Sequence, residues 1–149
     1  MNGVTETLSI TEQLRVAVRT ADDKGAVAPV AIEVGELFPL ADAFLIVSGS
    51  VERNVQAISD AVEDALNEVG VRTIRREGRE SGRWVLLDFG DLIVHVFHQE
   101  EREFYQLERL WKDCPIVDLA PMLARSAAEE SATPEGALDL RSTPATGVQ

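Results

Sequence analysis

Two strand-length apolar runs, RWVLLDF (83–89) and LIVHVFH (92–98), are separated only by Gly90-Asp91, and they constrain this chain more than any other feature. A Gly-Asp pair between two β-rich runs is a strong hairpin signal. Side chains alternate across a strand, so Trp84, Leu86 and Asp88 share one face while Val85, Leu87 and Phe89 share the other. Both faces are therefore largely apolar. Either helices cover both sides of this hairpin, or one side awaits a partner.

The flanking sequence supplies the covering elements. Ser9-Ile10-Thr11-Glu12 is a capping-box pattern, and Ile10, Leu14, Ala17 and Ala21 follow at helical spacing, predicting a helix over 9–24 that stops at Gly25. VAIEV (30–34) reads as a strand, and DAFLIVSG (42–49) as a second, more apolar and central one. Between them, GELFPLA is a connection or a single helical turn broken by Pro39. Ser50 is placed to cap a long helix whose Val51, Val55, Ile58, Val62, Leu66 and Val69 form one stripe, closed by Gly70. VRTIR (71–75) predicts a third strand, and residues 101–113 a single helix halted by Pro115. The order α-β-β-α-β-β-β-α specifies an α/β fold, a mixed sheet of about five strands flanked by helices. Residues 1–8 form a flexible lead-in and 9–124 the domain. Residues 125–149, rich in Ala, Ser, Thr, Pro and Gly, are expected to stay disordered.

Charge restricts the function. With 14 basic against 26 acidic residues the net charge is -12, which argues against free nucleic acid as a partner and suits a basic protein surface. A single cysteine, Cys114, leaves no disulfide framework or multi-Cys zinc site; beside Pro115 it reads as a small buried residue. MNGVTETLSI lacks a basic region followed by an apolar stretch, and no apolar run reaches membrane-spanning length. The expectation is a soluble cytoplasmic protein.

Ser48-Gly49-Ser50, between a strand and a helix, could offer N–H groups to a phosphate, but a helix cap accounts for it better, and the P-loop pattern is absent. A Gly-Ser turn of this kind also suits nucleotidyltransferases, whose two-metal chemistry needs paired carboxylates on a neighbouring strand. Asp88 and Asp91 only flank the hairpin turn, and Glu33 stands alone. His95 and His98 lie three apart on a strand and point to opposite faces, so a shared metal is not expected; His95 should be partly buried and His98 exposed. In the last helix Phe104, Leu107 and Trp111, with Leu110 beside them, form a core stripe. Arg102, Tyr105 and Arg109 face elsewhere, and Glu108 can pair with Lys112. Trp, Tyr and Arg dominate interface energetics, so their concentration here suggests a docking surface.

SGSVERNVQAISDAV, the EG pair at 77–78, WVLLDFGDLIVHVF and REFYQLERLW together resemble the ribosomal silencing factor family, also called RsfS or Iojap-like, over roughly residues 9–119. The combination of W-x-x-x-D, H-V-F and R-x-F-Y-x-L-E-x-L-W is specific. The resemblance implies a nucleotidyltransferase-like fold without the catalytic carboxylates, no catalysis, no cofactor and no metal. It also implies binding to the large ribosomal subunit through its universal protein numbered fourteen, on the intersubunit side. That binding obstructs subunit joining and represses translation when nutrients are short. Self-association as a homodimer is implied too. Carried over by motif, the partner-binding residues are Trp84, Leu86, Asp88, His95, Phe97, Arg102, Tyr105 and Glu108. The competing reading is a nucleotidyltransferase-like enzyme acting on a nucleotide or RNA end.

Overall fold

A computed structural model of the chain describes residues 8–124. The expected flexible 1–8 segment (save Leu8) and the expected disordered 125–149 tail lie outside the described residues. The chain runs α1 (Ile10–Asp23), β1 (Val27–Glu33), β2 (Ala43–Gly49), α2 (Glu52–Glu68), β3 (Arg75–Glu77), β4 (Trp84–Asp88), β5 (Leu92–His98), α3 (Gln99–Tyr105), α4 (Leu107–Leu110), β6 (Ile116–Val117) and α5 (Ala120–Leu123). One six-stranded sheet, ordered β3-β4-β5-β2-β1-β6, carries them. β2 and β5 pair in parallel at its centre and every other pairing is antiparallel. Both central strands are buried along their whole length, as their continuous apolar sequences demand.

The two faces of the sheet are covered differently. On one, Ala43, Leu45, Val47, Val85, Leu87, Val94 and Val96 pack against α1, α2 and α5. α1 begins with the expected capping box: Ser9 Oγ accepts from Glu12 N at 3.1 Å, and Glu12 Oε1 accepts from Ser9 N at 3.0 Å. α2 buries Val55, Ile58, Val62 and Leu66, one stripe at helical spacing. Each such side chain contributes about 1.5–3 kcal/mol by leaving water. On the other face, Ile32, Val34, Phe44, Ile46, Ile93 and Phe97 form a second, smaller cluster, capped by Phe38, Trp84, Leu86, Leu107 and Trp111. Among the described residues no long helix lies there, and the loop between β1 and β2 and the short α3–α4 segment are its cover.

Three expectations about elements require correction, while the mixed sheet holds with one strand more than the five expected. Ser50 does not cap α2: Val51 is the N-cap residue without a side-chain bond, and Asn54 Oδ1 instead reaches back to accept from Ser50 N at 3.1 Å. The strand expected at 71–75 sits at 75–77, because Arg75, Arg76 and Glu77 are the residues that pair with Asp88, Leu87 and Leu86. Val71 drops into the helix-side core, and Asn67 Oδ1 accepts from Thr73 N at 3.2 Å, holding the approach in a turn. Cross-strand pairing, not β-propensity, set the boundary. The helix expected at 101–113 is two pieces, broken where Gln106 turns left-handed at φ 49°, ψ 52°. The sheet gains a sixth strand, β6, whose two residues are too few to register as a periodic run.

Candidate docking face

The chain holds five Phe, two Trp and one Tyr. Only Phe89 belongs to the helix-side core; the other seven gather on the opposite face of the sheet. A continuous chain of ring contacts runs from Phe104 to Tyr105 (4.9 Å between centroids), on to Trp84 (5.0 Å) and then to Phe97 (4.7 Å). From His95 it continues through Phe44 (5.1 Å) to Trp111 (5.2 Å), and Phe38 closes on both of the latter. Strand alternation produces this: Trp84 and Leu86 on β4 stand opposite Phe97 and His95 on β5, all four on one side of the pleat.

Within this assembly the sequence-derived residues take distinct positions. Phe97 is fully buried beneath Trp84, and His95 is buried beside it. Trp84 Nε1 donates to His95 Nδ1 at 3.1 Å, so the imidazole proton sits on Nε2. Burial holds the His95 pKa down at about 4, which keeps the ring neutral at physiological pH. Trp84 and Leu86 are half-buried, and Tyr105 is 50% exposed. Asp88 lies at the far end of β4, where its Oδ1 accepts from Gly90 N at 2.9 Å and stabilises the hairpin turn. Arg102 is turned inward. Its Nη1 donates to the buried Ser48 Oγ at 2.8 Å and its Nε to Glu108 Oε2 at 3.3 Å. Glu108 therefore pairs with Arg102 and not with Lys112.

Two further readings are corrected here. His98, expected to be exposed, is buried; its Nδ1 caps α3 by accepting from Glu100 N at 3.1 Å. Arg83 fixes the same helix start through Glu100 and Glu101, at 3.0 and 3.1 Å, while also reaching Glu52 on α2 at 3.0 Å. Phe104 and Leu110, expected in the core stripe, are 77% and 73% exposed. The kink at Gln106 rotates α4 away from the phase of α3, so Leu107 and Trp111 face the sheet while Phe104 and Leu110 face solvent. Leu37 and Leu40, flanking the half-buried Phe38 in the β1–β2 loop, are exposed as well. Sequence reasoning missed all four; the only signal for the leucines was an apolar Leu-Phe-Pro-Leu run in a connection too short for an element.

The Ser48–Ser50 turn is occupied by the chain's own groups. Arg102 takes the Ser48 hydroxyl, Asn54 takes the Ser50 N–H, and a Cβ added at Gly49 would approach Asn54 Oδ1 and Val55 Cγ2 at 3.0 Å. Among the described residues, no three His, Cys, Asp or Glu side chains are grouped to hold a metal ion. The geometry offers a partly uncovered aromatic face, built on a rigid sheet and rimmed by exposed apolar side chains.

Comparison with known proteins gives that face a family context. Residues 7–143 match the family model described as "Ribosomal silencing factor during starvation", a span extending past residue 124. The chain is 44% identical over 117 residues to the ribosomal silencing factor RsfS of Halalkalibacterium halodurans, covering 78% of this chain and 100% of that protein. It is 42% identical over 106 residues to RsfS of Bacillus subtilis, covering 71% and 90% respectively. A crystal structure of a Chromobacterium violaceum protein superposes with a TM-score of 0.69 at 32% identity, covering 70% of this chain and 88% of that one.

Proposed function

This chain belongs to the ribosomal silencing factor family, and on that premise we propose that it silences by occupying space. It docks on the large ribosomal subunit through the universal protein numbered fourteen, on the intersubunit side, and bars the small subunit from joining. In this reading translation falls without any reaction being catalysed, in the cytoplasm and with no cofactor.

The observation that carries the proposal is the distribution of aromatic rings. A chain with only eight aromatics uses one in its helix-covered core and seven on the face that, among the described residues, no long helix covers. Large rings at a partly open surface, beside exposed Phe104, Tyr105 and Leu110, are what a docking site requires. The net charge of -12 supports a basic ribosomal protein as the partner and disfavours direct contact with RNA. The self-occupied Ser48–Ser50 turn weighs against the enzyme reading.

A subunit-joining assay tests the proposal. Added protein should lower the fraction of whole ribosomes formed from purified subunits in a sucrose gradient. Trp84→Ala and Tyr105→Ala should each weaken large-subunit binding by about 2 kcal/mol, roughly thirty-fold. Unimpaired subunit joining in the presence of bound protein would refute the steric mechanism.

A further inference from the structure

We infer that α4 and the turn after it, residues 107–113, form a hinged flap over the aromatic face that shifts when the docking partner binds. The second half of this inference rests on the docking function proposed above; the hinge itself does not.

The hinge is Gln106, a non-glycine residue in the left-handed region (φ 49°, ψ 52°) between helices of seven and four residues. On its N-terminal side the chain is firmly held. His98 caps α3, and Arg83 binds both Glu100 and Glu101. On its C-terminal side the hold is weaker. Neither α3 nor α4 has a fully buried residue, but α4 has no side-chain cap, and among the described residues its side-chain polar attachment is the 3.3 Å contact from Arg102 Nε to Glu108 Oε2, beside the packing of Leu107 and Trp111 on the aromatic face. A helix of four residues has almost no stability of its own.

The closed position also leaves polar groups unpaired. Glu108 Oε1 and Trp111 Nε1 are buried without a hydrogen-bond partner among the described residues, and so is His95 Nε2. Phe44 touches both the Trp111 and the His95 ring, placing two of these atoms in one neighbourhood. Burying a donor or acceptor unpaired opposes closure, so an arrangement that pairs them competes well with the closed one. Movement of the segment between Gln106 and the buried Cys114, beyond which Pro115 and β6 rejoin the sheet, would turn the Glu108 carboxylate and the Trp111 indole N–H outward. A basic protein surface offers cations to the first and backbone carbonyls to the second. Arg102 is then a latch, tying the flap to Ser48 on the rigid sheet.

Hydrogen exchange read by mass spectrometry on the full chain tests both halves. In the free protein, amides of 107–113 should exchange at least tenfold faster than those of β5. Arg102→Ala should accelerate 107–113 about fivefold more and leave β5 unchanged, whereas Gln106→Gly, which removes the left-handed strain, should slow it. On purified large ribosomal subunits, exchange in 107–113 should change at least threefold. A flap as protected as β5, or acceleration spread evenly over the domain in Arg102→Ala, overturns the hinge. Subunit-bound protein with 107–113 unchanged overturns its coupling to docking. Failure of subunits to retain the protein overturns the docking function instead, with the hinge still decided by the free chain.

Discussion

His95 carries the clearest chemical consequence of burial in this protein. Among the described residues its side-chain hydrogen bond is the one it accepts from Trp84, and its pKa falls to about 4 against an ordinary value of 6.5. The unfolded chain therefore binds one more proton than the folded chain between those values. Stability is fully present above about pH 6.5 and is lost as pH falls toward 4. Between pH 7 and 5 this one group should remove about 2 kcal/mol. Asp60, held below the usual carboxylate range by its hydrogen bond from Arg79, loses its contribution only at lower pH, so the two effects separate. Urea titrations at pH 7 and 5 should show the loss, and His95→Gln, which keeps an acceptor for Trp84, should abolish most of it. Gly78 tests geometry instead of charge. It sits at φ +87°, and a Cβ there would fall on the Trp84 carbonyl oxygen. Gly78→Ala should cost about 2 kcal/mol or more in the same titration, by disturbing the start of β4.

Elements divide by what covers them. α2 is amphipathic in the ordinary sense, its buried stripe seated on the sheet, and Leu66 is fully enclosed. Leu66→Ala should lower unfolding free energy by about 3 kcal/mol, the combined loss of transfer energy and the cavity left behind. α4 contains the same residue type in the opposite situation. Leu110→Ala should change stability by less than about 0.5 kcal/mol while weakening large-subunit binding, because its side chain faces solvent. Thermal unfolding of both variants alongside subunit co-sedimentation separates the two roles; equal stability losses would show that α4 is core. The difference arises at Gln106. One left-handed residue shifts the helical phase, and the heptad-like spacing of Phe104, Leu107 and Trp111 ceases to describe a single face.

At the scale of the whole molecule, the described residues give the sheet one well-roofed side and one side covered by loops and two short helices. The chain as a whole carries a net charge of -12. Attraction to a basic partner acts over a Debye length, about 10 Å at 0.1 M salt and about 3 Å at 1 M. Under the proposed docking, in which the aromatic face gives retention, raising salt across that range should slow association with large subunits by about tenfold or more and leave dissociation nearly unchanged. Stopped-flow or surface-plasmon measurement of both rates checks this. A salt effect confined to dissociation would place the charges inside the interface and not around it.

The sequence alone determined the alternating elements, the central apolar strands, the α1 capping box, and the hairpin with two apolar faces. These are local or periodic properties, legible because strands repeat every two residues and helices every 3.6. It also carried the motifs that mark the family. Tertiary structure decided what depends on distant partners. β3 formed where β4 offered pairing, and His98 became buried because it caps the helix that follows. Arg102 turned inward to meet Ser48, fifty-four residues earlier in the chain. Which face of the sheet stayed open could not be read from either strand, because both faces were equally apolar. It followed from where three helices found room to pack.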